Sequence, residues 1–307
     1  MGETDVLTVL DSEKQKTQQA TSQNNTEQES LQEEQLDHGS FLFDALSDEE
    51  VNGVLKSMRH RLAVLIGLPW SGKSTFVGSL YHILMTRSSL GSYRLIGSDT
   101  YVGLERRIYL RYAHGQNISD TMRTGSIENH LLTLELENKD SGETVQLFLS
   151  DRTGERYKNY AEEKKDMSDD ISLLSADHIY IFVAADTLTG RDYLTVKEKY
   201  VKIAIQLKKA GVIEKAKTLA VVFNKTDLVK DDQDRFAKKK SMFLGALKEA
   251  LGFEEIENYD VQSNNMKSDD LKSLMETLIK NVFQDYEENK NESFDWVKKE
   301  MEKYVES

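Results

Sequence analysis

The residues best equipped for chemistry lie together in Gly67-Leu-Pro-Trp-Ser-Gly-Lys-Ser-Thr75: a glycine, four residues, then Gly-Lys-Ser. Lysine and a hydroxyl directly after a glycine, at the start of a helix, suit a polyphosphate. Gly72 lets the backbone approach the anion, Lys73 can reach the β and γ phosphates, and the Ser74 hydroxyl offers magnesium a hard oxygen. Gly67, Trp70, Ser71 and Thr75 complete the loop that would wrap the phosphates. Pro69, the only proline among 307 residues, has no N–H to give. It is third in the frame, and the cradling N–H groups come chiefly from Trp70 onward, so the loop tolerates it. The Trp70 ring is placed to cover phosphate or ribose, to meet a partner, or to pack.

Such a loop needs a strand before it and a helix after it. Residues 61–67 (RLAVLIG) form a continuous apolar run ending in glycine, as a parallel strand covered on both faces does. Residues 73–86 follow as a helix with Phe76, Leu80, Ile83 and Leu84 on one side. Residues 131–137 and 145–149, joined through Asn138-Lys-Asp-Ser-Gly142, have the pattern of an antiparallel hairpin. Residues 178–184, 218–223 and 256–261 give further buried strands, separated by helices at 193–210, 234–251 and 269–285. The order calls for an open α/β sheet with helices on both faces, and with the glycine loop it resembles the P-loop NTPase fold, whose mixed but mostly parallel sheet has one antiparallel strand.

Two more motifs fall at strand ends. Asp151-Arg-Thr-Gly154 follows residues 145–150; the Asp151 carboxylate can hold magnesium, usually through water, and Gly154 leaves its N–H for the γ phosphate. Asn224-Lys-Thr-Asp227 follows residues 218–223. A carboxylate at Asp227 accepts from both the N1–H and the 2-amino group of guanine, a donor pair adenine lacks. Asn224 would hold the loop and contact the purine edge, with the Lys225 stem over the base plane. GTP and GDP are thus the expected ligands.

Three motifs in this order, each at the carboxyl end of a strand, resemble the P-loop GTPases of the Ras-like, translation-factor-related (TRAFAC) class over residues 61–285. Within it the chain resembles the bacterial double-GTPase group of immunity and conflict loci, through its P-loop and through Ser98-Asp-Thr-Tyr-Val-Gly-Leu-Glu-Arg-Arg107. The resemblance implies a cytoplasmic, magnesium-dependent GTPase working with a partner protein, in a bacterial defence system. It also implies a threonine ahead of the second strand that completes the magnesium shell. Thr121 and Thr124 both qualify, and Thr124 is preferred as nearer the strand. Where the class has Ser-Ala-Lys bracing the guanine O6, this chain has Ser263-Asn264-Asn265. Glu155 stands where Ras-like members carry the glutamine that orients water, and a carboxylate beside a triphosphate is electrostatically awkward. Glu155 serves as base or points away, and Arg152, Arg156 or a partner's arginine then stabilises the transition state. Hydrolysis is expected to be slow.

Around this domain, residues 1–40 are a polar leader with too little apolar content to offset ordering entropy. Residues 41–60 suggest an amphipathic lead-in helix, 88–125 an insertion carrying a helix over 100–113, and 288–307 a short amphipathic helix. Arg106, Arg107 and Arg111 recur at helical spacing; a solvated helix face is favoured over a basic docking face. The net charge of −13 disfavours nucleic acid and anionic lipid, the absence of cysteine removes disulfides and thiol chemistry, and no apolar run is long enough to span a membrane. Two other functions remain open: a module that holds GTP without hydrolysing it, and a P-loop phosphotransferase, which would not need Asn224-Lys-Thr-Asp227.

Overall fold

The computed structural model describes residues 45–47, 60–87, 89–113 and 130–284. The run HRLAVLI forms strand β1 (His60–Ile66), and the first helix, α1 (Lys73–Thr86), follows the glycine loop. Strand β2 (Tyr93–Gly97) and helix α2 (Tyr101–Ala113) come next, then the hairpin β3 (Leu131–Asn138) and β4 (Thr144–Ser150). Short helices α3 (Gly154–Ala161) and α4 (Ile171–Leu174) lead to β5 (His178–Ala184). Helices α5 (Ala185–Thr189) and α6 (Tyr193–Lys209) precede β6 (Thr218–Asn224). A 3-10 turn (Thr226–Asp232), helix α7 (Gln233–Leu251) and strand β7 (Glu257–Asp260) follow, and residues 269–284 form α8.

The seven strands stand in the order β2-β3-β4-β1-β5-β6-β7. β1 pairs in parallel with β4 and β5, and β5-β6-β7 continue in parallel, whereas β3 is antiparallel to both its neighbours. β3 is therefore the strand that runs against the others, as the hairpin pattern requires. Alternation along the central strands divides two apolar layers. Ala63 and Leu65 of β1 face a layer with Phe76, Leu80, Leu104, Leu274 and Ile279. Leu62, Val64 and Ile66 face the opposite layer with Tyr157, Ile203, Phe243 and Leu247. Helices α1, α2 and α8 thus cover one face, and α3, α6 and α7 the other.

Two expectations are revised. The segment 88–125 contains the sheet's edge strand β2 as well as the expected helix. Tyr93–Gly97 pairs on one side only and is never fully buried, so it lacks the apolar run that marks the central strands. In the segment read as a lead-in helix, the four described residues make no helix: Leu46 forms an isolated antiparallel bridge with Leu131, and His60 opens β1. The leader 1–40 and the C-terminal helix 288–307 lie outside the described residues. Among those described, no helix is long and apolar enough to cross a membrane.

His178, at the start of β5, is fully buried, and burial lowers its pKa to about 4. In the unfolded chain it takes up a proton near pH 6.5, so the unfolded state binds more protons between those values and stability falls as the pH drops. This group alone removes about 3 kcal/mol between pH 6.5 and 4. Denaturant titrations at pH 7 and 4.5 are expected to show a smaller loss of stability for His178→Leu than for the natural chain.

Candidate functional site

The parallel strands β1, β4, β6 and β7 all end at one edge of the sheet, and from that edge come the four loops singled out above. Gly67 leaves β1 with its Cα packed so closely that a Cβ would lie 2.5 Å from Ser71 Oγ and 2.6 Å from the Phe182 carbonyl. The chain turns through Pro69 and Trp70 and enters α1 after Gly72, which has φ 91°. Trp70 also has positive φ, 68°, and its side chain is 71% exposed. A left-handed conformation at a bulky residue is a sparsely populated state held by its surroundings. The loop entrance is secured from the opposite face: Tyr200 on α6 accepts a hydrogen bond from Leu68 N–H (3.1 Å) and donates to the Phe182 carbonyl (2.6 Å). Tyr200 escaped sequence reasoning because its position reads simply as the apolar side of a helix.

Lys73 is buried and turns back to the loop it belongs to, donating to the Gly67 carbonyl (2.8 Å) and lying 5.6 Å from the centre of the Tyr157 ring. Burial lowers its pKa to about 8, with the nearby Asp151 charge partly offsetting the shift. Bound phosphate would return the ammonium to its charged form, so nucleotide binding at alkaline pH is expected to take up a proton. At pH 9 the uptake is about 0.9 proton per nucleotide, and at pH 7 about 0.1. Calorimetry in buffers of different ionisation enthalpy checks this, and Lys73→Met abolishes the difference.

Asp151 is fully buried at the end of β4. Its Oδ1 accepts from Ser74 Oγ (2.8 Å) and its Oδ2 from Arg107 Nε (2.6 Å). Arg107 also donates through Nη1 to the Gly103 carbonyl (2.7 Å) and is 8% exposed. This corrects the reading of that arginine as part of a solvated helix face: Arg106 is exposed, but Arg107 points inward. Charges at helical spacing do not reveal which of them has a buried carboxylate waiting in another element.

Gly154 opens α3 against the phosphate loop; a Cβ there would stand 2.2 Å from Pro69 N and 2.4 Å from Pro69 Cα. Beyond it, Glu155 is exposed and lies 3.5 Å from Lys158 Nζ. The two nearby arginines converge on another carboxylate. Arg152 Nη2 donates to Asp170 Oδ1 (2.9 Å), and Arg156 reaches Asp170 Oδ2 (3.2 Å) and the Tyr160 hydroxyl (2.8 Å). Thr121 and Thr124 lie outside the described residues.

Asn224, 1% exposed, joins three loops with one amide. Its Nδ2 donates to the Ser71 carbonyl (3.0 Å), and its Oδ1 accepts from the N–H groups of Lys225 and Ser263 (both 2.9 Å). Gly72 is matched to this contact, since a Cβ there would fall 1.9 Å from Asn224 Nδ2. Lys225 is left-handed (φ 61°), which turns the chain so that Asp227 follows in the partly exposed 3-10 turn. Thr226 fastens that turn to the Val261 carbonyl. Ser79 on α1 donates to the Ser263 carbonyl, and Asn264 is exposed in the turn beyond. The structure thus brings Gly67–Thr75, Asp151, Gly154, Asn224–Asp227 and Ser263 to one edge of the sheet.

The mostly parallel sheet, with its glycine loop between β1 and α1, has the architecture of a P-loop NTPase. The chain belongs to the Double-GTPase 2 family, which matches residues 61–281. Among solved structures it is similar to the bacterial selenocysteine-specific elongation factor EF-Sec, at 13% identity over 74% of this chain and 29% of that one, with a TM-score of 0.40. It is also similar to the translation elongation factor SelB from Methanococcus maripaludis in complex with the GTP analogue GppNHp, at 14% identity over 73% of this chain and 35% of that one, again with a TM-score of 0.40. The chain thus corresponds to about a third of the length of either. No curated protein sequence matches it significantly.

Proposed function

We propose that this protein is a guanine-nucleotide switch that binds GTP with magnesium, hydrolyses it slowly, and passes its state to a partner protein in a bacterial defence system. The observation that carries the nucleotide reading is the Asn224 amide, which ties the phosphate loop to the base-selecting loop and to Ser263. The family supports the guanine preference, and the role in defence rests on the resemblance to double-GTPases of conflict loci.

In this reading Lys73 leaves the Gly67 carbonyl for the β and γ phosphates, and Asp227 accepts from guanine while the backbone N–H of Asn264, beside the Ser263 held by Asn224, braces its O6. The pair Ser74 Oγ and Asp151 Oδ1, 2.8 Å apart, supplies the hard oxygens that magnesium favours. Bound there, the ion would neutralise charge developing on the phosphates. Thr124 is assigned to complete its shell. Gly154 N–H turns to the γ phosphate, and Glu155 and Arg156 act on the attacking water and the developing charge. Arg156 can do so only after leaving Asp170.

The same placement favours a second reading, in which GTP is held without turnover: Glu155 is exposed and Arg152 and Arg156 are committed to Asp170. Calorimetric titration with GTP, GDP and ATP in magnesium, followed by single-turnover phosphate release, decides among these. Guanine preference with slow release supports the switch, tight binding with no release supports the second reading, and ATP preference overturns both. A partner captured with a non-hydrolysable GTP analogue but not with GDP would support signalling.

A further inference from the structure

The stretch Ser98 to Arg107 supplies none of the four loops, yet nearly every polar group in it is spent on fixing one helix. Ser98 Oγ donates to the Thr133 carbonyl (2.7 Å), Thr133 Oγ1 accepts from Asp99 N–H (2.8 Å), and Thr100 Oγ1 accepts from Thr133 N–H (2.8 Å), so the start of α2 is laced to β3. One turn later Tyr81 of α1 donates to Glu105 Oε1 (2.6 Å). At Gly78 the two helices come so close that a Cβ would meet the Arg107 carbonyl at 3.2 Å. The product of all these contacts is a guanidinium delivered to Asp151 Oδ2 while Ser74 holds Oδ1.

We propose that Arg107 is a positioning residue that sets the magnesium dependence of nucleotide binding. This rests on the reading of Ser74 and Asp151 as the magnesium pair. One buried carboxylate serves two cations: the guanidinium already on Oδ2, and the metal that takes Oδ1 when Ser74 gives it up. Like charges sharing an anion in a poorly screened place oppose each other. Arg107 therefore raises the magnesium concentration that nucleotide binding requires, and movement of α2 away from α1 lowers it. The insertion helix becomes a control on the metal site, and through it on the nucleotide.

The test uses the full chain and mant-GDP, with affinity measured by fluorescence across a range of free magnesium. Arg107→Gln, which can still donate to Asp151 but carries no charge, is expected to lower the half-saturating magnesium about tenfold, equivalent to about 1.4 kcal/mol. Arg107→Lys, which keeps the charge, stays within about threefold of the natural chain, on the same electrostatic argument. Tyr81→Phe, which releases Glu105 of α2 without altering any charge, shifts it the same way by about threefold, within the scale of one hydrogen bond, and serves if Arg107→Gln does not fold. An unchanged or higher magnesium requirement in Arg107→Gln, or in Tyr81→Phe where that variant stands in, overturns the proposal and leaves Arg107 as a brace for Asp151. If the natural chain fails to bind mant-GDP at any magnesium concentration, the switch reading falls and this inference with it. If it binds, the variants judge the inference alone.

Discussion

Asp227→Asn is expected to lower GTP and GDP affinity by about a hundred- to ten-thousand-fold while admitting xanthosine nucleotides, which the natural chain should reject. Two hydrogen bonds to a charged acceptor are at stake, each worth about 1.5–3 kcal/mol, and the exchange replaces one acceptor by a donor facing guanine's own donors. Xanthine carries a carbonyl where guanine has its 2-amino group, so the asparagine amide can donate to it. The loop itself should survive, because Thr226 and Asn224 hold it through contacts that do not involve Asp227. Displacement of mant-GDP by GTP, XTP and ATP measures the change. An unaltered order among the three would remove Asp227 from base selection.

Gly154→Ala is expected to cost about 2–4 kcal/mol of stability, the scale of an overpacked contact that cannot relax. Alanine is the better helix former by about 1 kcal/mol, so at the first position of α3 propensity alone would favour the change. What opposes it is the phosphate loop: the new Cβ would stand 2.2 Å from Pro69 N and 2.5 Å from the Leu68 carbonyl carbon, both backbone atoms, so no flexible side chain can swing aside. For a domain of this size the melting temperature should fall by about 4–16 °C. A shift below about 1 °C would mean that the two loops part at little cost, and that the contact does not couple them.

The central sheet was legible because burial on both faces leaves its mark on composition. HRLAVLI, HIYIFVA and TLAVVF are nearly continuous apolar runs, and α1 and α6 repeat at helical spacing between them. β2 was not legible, since an edge strand pairs on one side and its YRLIG alternates between partly buried and exposed residues. Within the candidate site, the glycine loop, Asp151 and Asn224 could be named from spacing at strand ends. Arg107 could not be placed in the same way. Its inward direction depends on lacing between α2, β3 and α1 that no periodicity records. Arg152 and Arg156, read as candidates for charge stabilisation, are drawn instead to Asp170, the N-cap of α4, whose importance is invisible in its own short helix.

The Asn224 bracket has a consequence for how the ligand is assembled energetically. Because one buried amide ties Ser71 to Ser263, the loops proposed to hold the phosphates and the base share one arrangement, and ordering either half would order the other. Guanosine and pyrophosphate, added as separate fragments, should therefore bind with positive cooperativity, each having already met part of the other's entropic cost. In Asn224→Ala the two half-sites would bind independently, and the intact nucleotide would lose more affinity than the sum of its pieces.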